Sequence, residues 1–266
     1  MTRITDIVDN RAGTGFVAEH GLALIIECDG VKTLFDTGAG SALVPNANRL
    51  EIGLDDVAQI VLSHSHYDHT GGLAAMRPKC PVYAGEGVDV PSFSKQPGVP
   101  VHRLGMPDSS RAVFRESDRR MVSGLVRIGG GAWLRAPIPR VDPMEHIRGF
   151  YYDEMCTRPS RVPEELALLT ADGVLVTGCC HSGIINTVEA FRSVPDLPRI
   201  RAIVGGLHLC WSCADDIRRA TDYLDSLRLE KLVMLHCTGD EAADYLAAHL
   251  DCEAIRGTSG DVWEFD

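Results

Sequence analysis

A chain of 266 residues, 45% hydrophobic and 24% charged, has the composition of an ordinary globular protein with material for a full-sized core. Its 26 Lys and Arg against 37 Asp and Glu give a net charge of −11, which argues against nonspecific binding to nucleic acid or to an anionic membrane. A small anionic substrate stays open, because a local metal or Arg cluster reverses the field around it. No run reaches the roughly 18 apolar residues of a membrane span, and the polar, acid-bearing Met1–Asn10 lacks the basic start and apolar run of a signal peptide. With nine scattered Cys, an odd number, these features predict reduced thiols in a cytoplasmic chain.

The first strong signals along the chain are two apolar runs, Leu22–Glu27 and Val31–Phe35, predicted as strands joined at the hairpin pair Asp29-Gly30. Gln59–Leu62 is a third strand. From about Pro78 to Pro163 the chain turns rich in Pro, Gly and Arg and loses periodicity. That stretch reads as an insertion over a site, with strands of its own at Gly124–Ile128 and Ala132–Leu134. A second hairpin, Leu166–Thr170 with Val174–Thr177, turns at Asp172-Gly173. Arg201–Val204 and Leu232–Leu235 are buried strands. Helices are predicted at Ile184–Arg192, at Asp215–Leu227 and at Glu241–Leu250; in the second, Ile217, Ala220, Leu224 and Leu227 recur at helical spacing. No composition break marks a linker, so residues 1–266 read as a single layered α/β domain with an insertion at about 78–163.

Four of these strands empty directly into histidines. Ile60–Leu62 leads into Ser63-His64-Ser65-His66-Tyr67-Asp68-His69, Val174–Val176 into Gly178-Cys179-Cys180-His181, Ala202–Val204 into Gly205-Gly206-Leu207-His208, and Leu232–Leu235 into His236. If the four share one sheet and run the same way, their ends meet along the edge where α/β sheets bind ligands. The first cluster offers three imidazoles and a carboxylate within six residues, donors suited to zinc, iron or manganese. One loop closes four ligands on a single tetrahedral ion with difficulty, so a split between two ions a few Å apart is the more natural arrangement. Gly71-Gly72 then lets the loop turn with close backbone packing.

Thr33-Leu-Phe-Asp-Thr-Gly38 followed by Ser63-His-Ser-His-Tyr-Asp-His-Thr-Gly-Gly72 resembles the metallo-β-lactamase superfamily. Gly178–Thr187, Gly205–Leu209 and His236–Gly239 resemble one branch of it, metal-dependent hydrolases labelled dihydropterin ribofuranosyl-aminobenzene phosphate synthases. The motifs run from about residue 20 to 260, with the middle span matching least. The resemblance implies an αββα sandwich with a two-metal site at one edge. Carried over by position, His64, His66 and His181 would hold one ion and Asp68, His69 and His236 the other, with zinc the first candidate and iron or manganese the alternatives. Asp36 would support the metal loop without touching an ion.

One departure stands out. Many members of the superfamily bridge the two ions with an Asp after the third His, and none of Asp196, Asp215, Asp216, Asp222 or Asp225 fits that position. Cys179, Cys180 or His208 is left to occupy it. His208 is expected to face the metals as a ligand or a hydrogen-bond donor, Tyr67 and His146 to line the pocket, and His20, His102 and His249 to be surface or core residues. Arg135, Arg140 and Arg148 are candidate anion contacts, set against ordinary solvated Arg. Cys210-Trp-Ser-Cys213 reads as ordinary thiols at a helix start, with a redox pair or zinc half-site as alternatives. The expected activity is hydrolysis of a small, anionic ester, lactone, amide or phosphoester, with Asp68 and His208 in catalytic roles. An iron-dependent oxidoreductase and a non-catalytic metal-binding protein are the alternatives; retention of the Asp68-His69 pair speaks against a mononuclear iron site. No nucleic-acid or membrane partner is expected, and the sequence is silent on oligomeric state.

Overall fold

The structure is a computed structural model that describes residues 1–143 and 148–266. In chain order its elements are β1 (Thr2–Val8), β2 (Ala23–Cys28), β3 (Val31–Phe35), α1 (Leu43–Arg49), β4 (Gln59–Leu62), α2 (Tyr67–Thr70), β5 (Val82–Gly85), β6 (Phe93–Ser94), β7 (His102–Arg103), α3 (Asp108–Glu116), β8 (Arg119–Val122), β9 (Gly124–Arg127), β10 (Trp133–Ala136), β11 (Phe150–Tyr151), β12 (Ala167–Leu169), β13 (Val174–Thr177), α4 (Ile184–Arg192), β14 (Ala202–Gly205), α5 (Ala214–Ser226), β15 (Lys231–Met234), α6 (Asp240–His249), β16 (Glu253–Arg256) and β17 (Val262–Phe265). One sheet has the order β17-β1-β2-β3-β4-β5-β8, a second β16-β15-β14-β13-β12-β10-β9, and a small third β11-β6-β7.

Three apolar cores separate four layers. The central core packs the sheets face to face through Leu24, Ile26, Phe35 and Val61 against Leu168, Val174, Val176, Val204 and Val233. Alternate residues of the same strands face outward: Ile25, Leu34, Ile60 and Leu62 meet α1 and α3 through Leu43, Ala47 and Phe114, while Leu175, Ile203 and Leu232 meet α4, α5 and α6 through Val188, Phe191, Leu224 and Leu246. The period of two therefore fills both faces with apolar side chains, and this is why the runs read as continuous rather than alternating. The result is an αββα sandwich.

Strands β13 to β16 run parallel, as do β3, β4, β5 and β8. The condition that all four histidine-bearing strands share a sheet is not met: β4 lies in the first sheet and β13, β14 and β15 in the second. Their ends still meet, because the central core brings the two sheets face to face. The 78–163 span also divides. Strands β5 and β8 complete the first sheet and β9 and β10 the second, and among the described residues the segments carrying β6, β7 and β11 rise over the site. At the end of the sandwich remote from the histidines, the β12–β13 turn crosses between sheets: the carboxylate of Asp172 accepts from Thr2 Oγ1 (2.7 Å) and Thr170 Oγ1 (2.5 Å).

Candidate metal centre

Each ligand-type side chain sits just past a strand, where the chain leaves the hydrogen-bonded ladder and turns. Asp36, Cys180, His208 and His236 all adopt positive φ (59°, 62°, 49° and 46°), a rare conformation for residues with a Cβ and one that marks sharply turning backbone at these four strand ends. The β4 loop enters α2 with His66 still extended, and Thr70 Oγ1 donates to the His66 carbonyl (2.9 Å). Gly72 follows so tightly that a Cβ there would lie 2.0 Å from the Thr37 carbonyl oxygen, so only glycine fits.

The imidazoles converge in two groups. His66 Nδ1 lies 3.0 Å from His64 Nε2 and 3.2 Å from His181 Nε2. His69 Nε2 lies 3.2 Å from His236 Nε2, and Asp68 Oδ2 lies 3.3 Å from His236 Nε2 and 3.6 Å from His69 Nε2. Two nitrogens bound tetrahedrally to one zinc-sized ion at 2.0–2.1 Å stand about 3.3 Å apart, so these spacings suit shared ions better than direct hydrogen bonds between rings. The far nitrogens are engaged: His69 Nδ1 with Asp36 Oδ2 (2.7 Å), His64 Nδ1 with Ser63 Oγ (2.9 Å) and His236 Nδ1 with Asn10 Oδ1 (2.9 Å). That leaves each Nε2 free to offer a lone pair inward, the usual way a protein orients a metal-binding imidazole.

Asp36 also accepts from the Ser63 amide (2.7 Å) and hydroxyl (2.6 Å), so one buried carboxylate fixes both the loop and the His69 ring. Glu165 does the same for the β13 loop, accepting from the amides of His181 (2.5 Å) and Ser182 (2.7 Å). Asp9 accepts from the His236 amide (2.7 Å), and burial pushes its carboxyl up to about 6 against that bond.

Burial pushes His66 down to about 3 despite the nearby Asp68, and it pushes His64 well below the ordinary imidazole range, helped by the surrounding imidazoles. Both rings are therefore neutral, the form that binds metals. For Asp68 burial opposes ionisation, but His69 and His236 outweigh it and hold the carboxyl well below the usual range. Burial likewise opposes charge on His236, yet Cys237 and Asp68 lift it to about 9. The Asp68–His236 pair is an ion pair that a divalent cation would replace, releasing the proton.

His64, His66, His69, Asp68, His181 and His236 thus come together, with Asp36 behind them. His208 joins them, its ring centroid 4.4 Å from that of His181. His66, Asp68, His181, His208 and His236 floor an open cavity of about 1470 Å³ that also includes Lys95, His102, Arg148, Phe150 and Trp211, with His64 and His69 buried behind them. Cys180 does not belong: its Sγ faces Thr187 Oγ1 (3.3 Å) in the core under α4, while its neighbour Cys179 turns inward with Sγ 3.2 Å from His69 Nε2. Tyr67 does not line the cavity either. It is half-buried beside His20, ring centroids 6.4 Å apart, because Asp68 and His69 take the inward side of the short helix. His146 lies outside the described residues. Of the three Arg, only Arg148 reaches the cavity; Arg135 sits in β10 and Arg140 donates to the Arg161 carbonyl (2.5 Å).

Sequence reasoning missed His20, whose Nε2 lies 3.3 Å from Asp68 Oδ2, as well as Asn10, Glu165 and Cys237. The acidic pair Glu164-Glu165 directly before an apolar strand was a signal for one of them. All nine cysteines are free thiols. The donor set, imidazoles with carboxylate and thiol, fits borderline divalent ions.

An αββα sandwich with His and Asp donors gathered at the ends of strands from both sheets defines a class of metal-binding fold. The family model of the metallo-β-lactamase superfamily matches residues 18–151, and the chain belongs to that superfamily. It is 28% identical to an uncharacterized protein of Methanocaldococcus jannaschii over 91% of this chain and 92% of that one. It is 25% identical to the 7,8-dihydropterin-6-methyl-4-(β-D-ribofuranosyl)-aminobenzene-5'-phosphate synthase of the same organism, over 99% and 96%. Among solved structures it resembles a metal-dependent hydrolase of the β-lactamase superfamily, with a TM-score of 0.87, 26% identity and coverage of 100% and 99%. A diphosphatase of the PhnP family shares the fold at a TM-score of 0.59 and 13% identity, covering 100% and 98%. Among the described residues, no helix is long and apolar enough to cross a membrane.

Proposed function

We propose that the protein is a metal-dependent hydrolase that cleaves an ester, lactone, amide or phosphoester bond in a small anionic substrate. The observation that carries this reading is the convergence of His64, His66 and His181 beside Asp68, His69 and His236 at the floor of one cavity, which His66, Asp68, His181 and His236 line directly. Two divalent ions held there, zinc first among them, would supply Lewis acidity and water activated near neutral pH. The first three residues would hold one ion and the second three the other. Asp68, ionised and in reach of His20 and His236, holds the position from which a proton of the attacking water is steered. His208, beside His181, lies where it can donate a hydrogen bond to the substrate. Lys95 and Arg148 on the cavity rim have no ion pair among the described residues, whereas Arg11 and Arg256 are tied to Asp240, so the first two are the free cations for an anionic group.

The test is a panel of phosphodiesters, lactones, esters and carboxylate-bearing amides, assayed with protein whose metal content is measured alongside. Asp68→Ala should lower turnover by about 10²-fold or more, as other losses at the metal or transition-state contacts do. Near-native turnover in that variant, or active protein with only trace metal, overturns the reading. One relative bears a synthase name, so the panel is scored for bond formation too, and formation without cleavage counts against hydrolysis.

A further inference from the structure

We propose that the thiolate of Cys179 is the donor shared by the two halves of the metal centre, in the position where a carboxylate would otherwise bridge two ions. The proposal rests on the two-ion reading above. Among the groups of candidate donors whose atoms lie within 4.8 Å of one another, Cys179 is found with His64 and His181 and again with His69 and His236. A side chain close to both triads is what a bridge requires, and no other residue in these groups belongs to both.

The backbone explains why sulfur arrives there. Gly178 packs so closely on the β4 loop that a Cβ would lie 2.1 Å from Ser63 Oγ, which fixes the approach of the chain just before Cys179. Cys180 then turns at φ 62° and sends its own sulfur into the core beneath α4. Cys179 Sγ is left buried, 3.2 Å from His69 Nε2. Sulfur at 2.3 Å and nitrogen at 2.0–2.1 Å from one tetrahedral zinc-sized ion stand about 3.5 Å apart. From the far side Cys237 Sγ packs 3.5 Å from the Cys179 carbonyl oxygen. The interval between His181 and His236 supplies no carboxylate to compete: Asp196 is in an exposed turn, Asp215, Asp216, Asp222 and Asp225 are on α5, Glu189 on α4 meets Arg192 and Tyr223, and Glu230 meets Arg201. On ion binding the thiol proton passes to solvent. A thiolate there favours zinc, cobalt(II) or iron(II) over magnesium or manganese.

The test uses the full chain stripped of metal and titrated with cobalt(II). The wild type should bind two ions and show an intense near-ultraviolet thiolate-to-cobalt band. Cys179→Ala should lose the band and bind its second ion about 10- to 100-fold more weakly. Cys179→Asp should keep two ions without the band, and Cys180→Ala should keep both. X-ray absorption on the wild-type cobalt protein, which needs no variant to fold, should show a cobalt–sulfur path at about 2.3 Å, as for zinc. Two bound ions with no sulfur path, or a band that survives in Cys179→Ala, overturns the bridge and leaves the hydrolase reading standing. A wild type that binds no cobalt overturns both.

Discussion

At the scale of single residues, the centre depends on groups that never face the cavity. Asp36 is fully buried and receives three hydrogen bonds, one of them from the His69 ring. Its φ of 59° is tolerated by Asn better than by Ala, so Asp36→Asn removes the charge while sparing the backbone. We expect that variant to bind zinc about 10- to 100-fold more weakly, read by competition with a chromophoric chelator. An unchanged affinity would mean that the His69 ring is held by something else. The same scale shows where sequence reasoning runs out. The candidate donors His64, His66, Asp68, His69, His181 and His236 stand out in the sequence because they lie in short loops that end apolar runs. Cys179 and Cys180 are neighbours of one type, and only the turn at Cys180 decides which sulfur faces the imidazoles. His20 reaches Asp68 from a loop 48 positions away in sequence, a closeness no local pattern encodes.

At the scale of elements, the doubly buried strands β2, β3, β4, β13, β14 and β15 announce themselves as apolar runs, and the amphipathic α5 does so by its spacing. Strand β1 does not. Thr2, Thr5 and Asp6 are buried along it, so its composition resembles a loop although it lies between β17 and β2. Edge strand β8 carries Arg119 and Arg120, charges that suit an unpaired edge and disguise a strand. The β12–β13 turn makes a prediction of its own. Burial would raise the Asp172 carboxyl, but the hydroxyls of Thr170 and Thr2 and the N-terminal amine outweigh it and hold it below its ordinary value. A carboxyl lowered in the folded state contributes stability above the unfolded carboxylate range and loses it as pH falls through the folded value. Asp172→Asn should therefore lower Tm at pH 7, with the gap to wild type closing toward pH 3. A gap that is constant with pH would show that the charge contributes nothing.

At the scale of the whole molecule, the centre takes His64, His66, Asp68 and His69 from the first sheet and His181 and His236 from the second. Ions bound there belong to the folded state only, so they stabilise it by mass action, by about 4 kcal/mol when free ion exceeds Kd a thousandfold. Calorimetry of the chelated protein against the same protein with excess zinc should show a lower Tm for the former, rising with zinc concentration. Coincident melting curves would count against ligands drawn from both sheets.

Strand β1 gives that linkage a direction. Thr2 at its start is bonded to Asp172 of the opposite sheet, and Asp9 and Asn10 just past its end hold the amide and the ring of His236, also across the seam. The strand is a crossbar pinned to the other sheet at both ends, by the Thr2–Asp172 hydrogen bond at one and by the Asp9 and Asn10 hydrogen bonds to the His236 loop at the other. Ions held by that loop would stiffen only the second pin, and their loss would leave it the weaker. The sandwich would then behave as a clamshell whose hinge is the Asp172 turn and whose lips are the histidine loops, gaping at the cavity mouth well before the spine gives way.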